Sequence, residues 1–126
     1  MHFDHQTPIL PVADLKEAVA FYKEKLGFSD EWFAGDEDAG ISRGNIRIIF
    51  NYNPEFAQRI NSKNPAFEIM WFVAGVDEVY EEYRAKNVAI WKHIRTEPWG
   101  IREFGFEDNN GYSIRVAQGI GVTEEK

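Results

Sequence analysis

The chain contains a copy of itself. Residues 12–28 (VADLKEAVAFYKEKLGF) align with residues 73–89 (VAGVDEVYEEYRAKNVA) without a gap. Val12 meets Val73, Ala13 meets Ala74, Leu15 meets Val76, Glu17 meets Glu78, Tyr22 meets Tyr83 and Lys25 meets Lys86. Each segment leaves an apolar, strand-like run and enters a helical pattern. The fold therefore has to be built from two like halves.

The first helix is predicted from Asp14, where Asp14 and Glu17 have capping-box spacing. Leu15, Ala18, Val19, Tyr22 and Leu26 recur at helical spacing and share one face, and Gly27 is the natural stop. The second helix repeats this with Val76, Val79, Tyr80 and Tyr83. It carries Glu82 and Lys86 as an i,i+4 pair and stops at Asn87. Three strand-like stretches follow each helix, at 28–33, 39–43 and 46–52 in the first half and at 90–96, 101–107 and 112–117 in the second. One strand precedes each helix, at 8–12 and 66–73. Arg43-Gly44-Asn45 makes a turn in the first half. Asp108-Asn109-Asn110-Gly111 makes one in the second, with Gly111 free to take positive φ. Residues 53–65 are the linker, with one helical turn expected after Pro54. The polar tail GVTEEK is expected to fray.

This pattern is βαβββ twice. The expected fold class is α+β: two tandem βαβββ units, at 7–52 and 66–118, within one domain of 126 residues. The curved mixed sheets bury their helix-facing sides, and their opposite faces are expected to enclose a cleft.

Composition narrows what such a cleft takes. The net charge is −7, which argues against a nucleic-acid partner and favours a cation where the acids cluster, although solubility alone accounts for it equally well. No run of 18 apolar residues exists, so no membrane span is expected. The opening MHFDHQTPIL has neither a basic start nor a long apolar stretch, so no secretory leader is expected. With no cysteine there is no thiol chemistry, which fits a cytoplasmic protein.

The duplicated βαβββ pattern resembles the vicinal oxygen chelate superfamily of glyoxalase I, extradiol dioxygenases, fosfomycin resistance proteins and bleomycin resistance proteins. The opening TPILPVADLKEAVAFYKEKLGF is shared broadly by that superfamily. Three stretches, DEDAGI (36–41), WFVAGVDEVYEEY (71–83) and EPWGIREFGFEDNNG (97–111), resemble the bleomycin-binding branch. There a Pro-Trp-Gly segment precedes an Asp-x-x-Gly turn.

Enzymes of the superfamily hold a divalent metal with side chains from the first and last strands of each half. The matching positions here are Thr7, Ile49, Glu68 and Arg115. A hydroxyl, an alkyl chain, one carboxylate and a guanidinium do not make a ligand set. His2, His5 and His93 fall on none of these positions. Asp36, Glu37 and Asp38 sit beside Gly35 in a loop, where solvated charge is the commoner role. No phosphate loop, GxSxG elbow or HExxH is present. The reading expects neither a metal nor another cofactor.

The resemblance instead implies a non-enzymatic protein that sequesters a small cationic aromatic antibiotic such as bleomycin and so confers resistance. Aromatic rings stack on the ligand's flat part and acids steer its charge. Trp32 falls at an aromatic ligand-contact position of the family, with Phe33 and Asp38 nearby. Trp99 and Gly100 match the Pro-Trp-Gly segment, and Met70 stands where the family has a Trp. Glu68 and Phe72 share the parity of Met70 and so its face, whereas Trp71 points to the helix side. Trp32 and Phe33 alternate, so one of them is expected in the core. For Trp32 core and ligand contact stand level, whereas for Trp99, in a loop, ligand contact is favoured. For Glu68 a solvated or salt-bridged carboxylate, with Arg115 as a candidate partner, is favoured over ligand binding. The resemblance also implies a homodimer that exchanges its first strand at Pro8. The alternatives are a glyoxalase- or dioxygenase-like metalloenzyme and a binding module for an unrelated metabolite.

Overall fold

The structure is a computed structural model that describes residues 1–60 and 68–120. The tail after Ile120, part of the linker and the start of the strand expected from residue 66 lie outside the described residues. The chain divides into two compact units, Met1–Ser62 and Lys63–Lys126.

In the first unit the elements run β1 (Ile9–Val12), α1 (Leu15–Glu24), β2 (Ser29–Ala34), β3 (Asp38–Arg43), β4 (Ile46–Tyr52) and α2 (Pro54–Ile60). The sheet order is β1-β4-β3-β2, with β1 parallel to β4 and the other pairs antiparallel. Asp14 caps α1 as the sequence predicts, its side chain accepting from the Glu17 amide at 2.9 Å. Gly27 takes φ 80° where the helix ends. Leu15, Ala18, Val19, Tyr22 and Leu26 are buried, and Tyr22 packs edge-on against Phe28 and Phe50. The linker holds more helix than the single turn expected. Asn53 caps it through the Phe56 amide, Pro54 occupies the first helical position, and buried Ala57 anchors it.

The second unit runs β5 (Ile69–Phe72), α3 (Val76–Ala85), β6 (Ala89–Thr96), β7 (Ile101–Glu107) and β8 (Ser113–Gly119), with sheet order β5-β8-β7-β6. The pairing repeats that of the first unit, β5 being parallel to β8. Trp71, Tyr80, Tyr83, Phe104 and Phe106 form its aromatic core, joined ring to ring at 5.1 to 6.3 Å. Asn87 ends α3 at φ 61°, the left-handed conformation that asparagine tolerates. The architecture is thus mixed α+β, with two four-stranded sheets and three helices among the described residues.

Candidate functional site

Each sheet buries one face under its helix and leaves the other without one. Register fixes which residues share the open face. In the first unit Trp32, Gly40, Ile49 and Ile9 form one row across β2, β3, β4 and β1. The Trp32 indole lies flat on Gly40, so closely that a Cβ there would overlap the ring. Trp32 keeps 46% of its surface exposed. It borders a cleft of about 420 Å³ shared with Asp30, Thr7, His5 and Arg47. His5 Nε2 lies 3.1 Å from an Arg47 Nη1 and His5 Nδ1 lies 3.0 Å from Asp4, so this rim carries both signs of charge.

The expectation that Trp32 or Phe33 enters the core does not hold: both are equally exposed. β2 is the edge strand, and Phe33 points toward the helix side beyond the start of α1. There it borders a second cleft of about 420 Å³ with Asp14, Lys16, Asp36 and Tyr52. Trp32 and Phe33, grouped from the sequence, therefore lie on opposite faces of β2. Asp38 joins the row next to Trp32, paired with Asn51 and accepting from its amide at 2.9 Å.

In the second unit the open face carries Met70 and Phe72, 42% and 59% exposed, while Trp71 is 5% exposed. The Glu68 carboxylate accepts from Arg115 Nε at 2.9 Å and lies 3.4 Å from Ser113 Oγ. Arg115 is also bonded through Nη1 to Glu103 Oε2 at 3.3 Å. Lys92 joins Glu103 to Glu97, and Arg95 closes on Glu97 at 2.8 Å. Glu103 is 1% exposed, and among the described residues its Oε1 is the one buried side-chain oxygen without a hydrogen bond. Hydrogen bonds from Arg95 and then Lys92 pull the Glu97 carboxyl down to about 2. Burial opposes the charge on Lys92, but hydrogen bonds to Glu103 and Glu97 outweigh it and raise its pKa.

Trp99 stands on the tip of the turn joining β6 to β7, 62% exposed. The turn closes through Gly100 N to Glu97 O at 3.1 Å and Glu97 N to Ile101 O at 2.7 Å. Gly100 takes φ 90°, and its carbonyl accepts from Ile120 at 2.8 Å. Trp99 has no place in the core of its unit.

Two functional candidates escaped the sequence reading. Glu103 is one, and its signal was its position two residues from Gly105 on the open side of β7. Trp91 is the other: it lies on Gly105, where a Cβ would be 2.5 Å from its Cζ2, and it is 42% exposed. Ile90 pairs with Phe106 and Lys92 with Gly105, so β6 spends an extra residue at Trp91. This bulge turns Trp91 and Lys92 to the same face and hides both from an alternation argument.

The positions matched to metal ligands do not fit a metal. Glu68 is the only carboxylate in that set, and the Arg115 guanidinium holds it. Among the described residues no three His, Asp or Glu side chains gather to hold an ion.

These features define a class first: a duplicated βαβββ protein whose sheets each present an open, indole-bearing face. Comparison then gives the family. Residues 2–116 match the Glyoxalase/Bleomycin resistance protein/Dioxygenase superfamily, and the chain belongs to it. No curated protein matches the chain. Among solved structures the chain is similar to a bleomycin-binding protein from bleomycin-producing Streptomyces verticillus, complexed with copper(II)-bleomycin. The two are 25% identical over 96% of this chain and 98% of that one, with a TM-score of 0.71. TioX from Micromonospora sp. ML1 is 19% identical over 94% and 98%, with a TM-score of 0.72. A glyoxalase/bleomycin resistance protein/dioxygenase from Alicyclobacillus acidocaldarius is 13% identical over 98% and 96%, at 0.78. The latter two likenesses speak to the fold alone. No described helix is long and apolar enough to cross a membrane.

Proposed function

We propose that this chain is a metal-free binding protein that sequesters a cationic aromatic glycopeptide-type antibiotic such as bleomycin, and that its role is resistance. The observation that carries this reading is the Trp32 indole laid flat on Gly40 at the edge of a cleft that also holds Asp30. A flat ring stacks on the indole while the carboxylate attracts a cation. The likeness to a bleomycin-binding protein supports the same ligand class. Trp32, Asp38, Glu68, Met70, Phe72, Trp99 and Gly100 remain the proposed ligand residues, with Glu68 acting through Arg115 rather than on the ligand; Phe33, which borders the other cleft on the opposite face of β2, is set aside. The protein works as a cytoplasmic homodimer that exchanges its first strand, and light scattering at micromolar concentration is expected to give twice the chain mass.

The reading is tested by titrating metal-free bleomycin against tryptophan fluorescence. Saturable quenching at micromolar drug or below is expected. Absence of quenching would transfer the cleft to an unrelated metabolite. Metal analysis after dialysis separates the enzymatic alternative, because a retained stoichiometric divalent ion would overturn sequestration without a metal.

A further inference from the structure

The open face of the second unit offers a position that the proposed function does not use. Its row across β6, β7, β8 and β5 is Lys92, Gly105, Arg115 and Met70, the counterpart of Trp32, Gly40, Ile49 and Ile9, and Trp91, the extra residue of the β6 bulge, lays its ring on Gly105. The indole-on-glycine arrangement recurs, but an arginine replaces the isoleucine beside it. The Arg115 Cζ lies 5.7 Å from the Trp91 ring centroid. Two carboxylates fix the guanidinium, Glu68 at Nε and Glu103 at Nη1. Its Nη2 has no partner among the described residues, and the side chain is 34% exposed. This group has two N–H donors held in a set orientation by the partly exposed Trp91 ring.

Charge decides what those donors accept. Arg115, Lys92 and Arg95 are balanced by Glu68, Glu97 and Glu103, so the cluster is neutral as a whole. An anion at Nη2 would also meet the carboxylates of Glu68 and Glu103. A neutral carbonyl oxygen would not be repelled in this way. We propose that Trp91 and Arg115 form a stacking site for a flat, uncharged heteroaromatic ring that bears a carbonyl, with the ring against the indole and the carbonyl accepting from Nη2. This site shares Arg115, Glu68 and Met70 with the ligand face proposed above, but it requires no cation and no bleomycin, so its own probe can succeed or fail independently of bleomycin binding. An aromatic laid on a strand glycine also shields the backbone, but shielding alone produces no response to a ligand.

The test uses the whole chain labelled with 5-fluorotryptophan, its four fluorine resonances assigned through single Trp→Phe variants. Nicotinamide is the probe, and pyridine, the same ring without the carbonyl, is its control. A saturable shift of the Trp91 resonance is expected, with a dissociation constant on the order of millimolar for so small a molecule. Buried Trp71 should stay still. Pyridine, and nicotinamide on Arg115→Lys, should each bind at least about threefold more weakly, because the oriented donor is unused or lost. A Trp91 resonance that does not saturate, or that moves only as all four move together, overturns the site. Equal binding of pyridine and nicotinamide, or full affinity in Arg115→Lys, overturns the role of Arg115 and with it the proposal. Because the reading uses the labelled native sequence, it does not depend on a Trp91 variant folding.

Discussion

The two units share a strand order and differ in what they place on it. In both, a tryptophan from the edge strand covers a glycine of the next strand on the open face. Beside that pair the first unit has Ile49 and Ile9, and the second has Arg115 and Met70. Two residues earlier on the glycine strand stands an acid in each case. Asp38 is partly exposed and bonded to Asn51, whereas Glu103 is buried between Lys92 and Arg115. The turns before that strand differ likewise, Gly35-Asp36-Glu37 in one and Pro98-Trp99-Gly100 in the other. The backbone therefore dictates where an indole lies and leaves its polar surroundings to the neighbouring side chains. The first open face pairs its indole with aliphatic chains, and the second holds its indole against a charge network.

The largest test of this contrast removes the two acids. Glu103→Ala leaves Lys92 and Arg115 each with one carboxylate fewer in a buried setting, and a loss of about 3 kcal/mol is expected. Asp38→Ala gives up one partly exposed hydrogen bond and should cost about 1 kcal/mol. Urea unfolding measures both. Equal losses would mean that the second network is not structural and that the two faces are alike.

The helix caps give the next effect. In the first unit the cap is local, since Asp14 bonds the Glu17 amide of its own helix. In the second the cap is remote: Gln118 Oε1 on β8 accepts from the Gly75 and Val76 amides at 3.0 and 2.9 Å. Gly75 itself takes φ 83°, and a Cβ there would lie 2.9 Å from Glu78 Oε1. Asp14→Ala and Gln118→Ala should each cost about 1 kcal/mol. Ser at position 14 restores α1, but Gly75→Ser, which supplies a good capping residue, should still destabilise by about 1 kcal/mol through left-handed strain. A stabilising Gly75→Ser would erase the distinction between the caps.

Acid gives a third reading of the second unit alone. The Glu97 carboxyl is held at about 2, below its ordinary 4.5, by Arg95 and Lys92. A depressed folded value means that its contribution is full above pH 4.5 and is lost as pH falls toward 2. The stability gap between the native chain and Glu97→Gln should therefore be constant above that window and close within it. A gap that does not change across the window would show that the ion pair does not set it.

Much of this was legible in the sequence. The gapless match of the two helical segments gave the duplication, and helical spacing gave the buried faces of α1 and α3. Parity along β5 placed Met70 and Phe72 on one side and Trp71 on the other, because a strand paired in unbroken register alternates faithfully. Parity failed at one edge strand, β6. On β6 the extra residue at Trp91 turns Trp91 and Lys92 to one face, whereas on β2 Trp32 and Phe33 alternate as expected although the pairing shifts between Ser29 and Trp32. The expectation for Phe33 failed for a different reason: its side of the sheet is the helix side, but α1 does not reach it. Burial of Glu103 could not be read from type or spacing, because it rests on Lys92 and Arg115 arriving from two other strands.

The smallest expected effect on stability belongs to Trp99, and it separates core from site most directly. Trp99 is 62% exposed on a turn that is closed by backbone bonds, with Gly100 supplying the φ of 90°. Its side chain contributes nothing to that closure. Trp99→Ala should therefore change unfolding stability by no more than about 0.5 kcal/mol. Trp71→Ala removes a ring packed on Phe106 at 5.6 Å and should cost about 3 kcal/mol or more. If Trp99 contacts the ligand, its truncation should weaken bleomycin binding roughly tenfold or more, in line with about 1.4 kcal/mol from a lost stacking ring. The corresponding turn of the first unit serves as the control. Asp36→Ala removes a charge rather than a ring there, and it should alter the salt dependence of binding more than its strength. A Trp99→Ala chain that loses several kcal/mol of stability would make this tryptophan part of the fold, and the turn of the second unit would then offer no stacking wall.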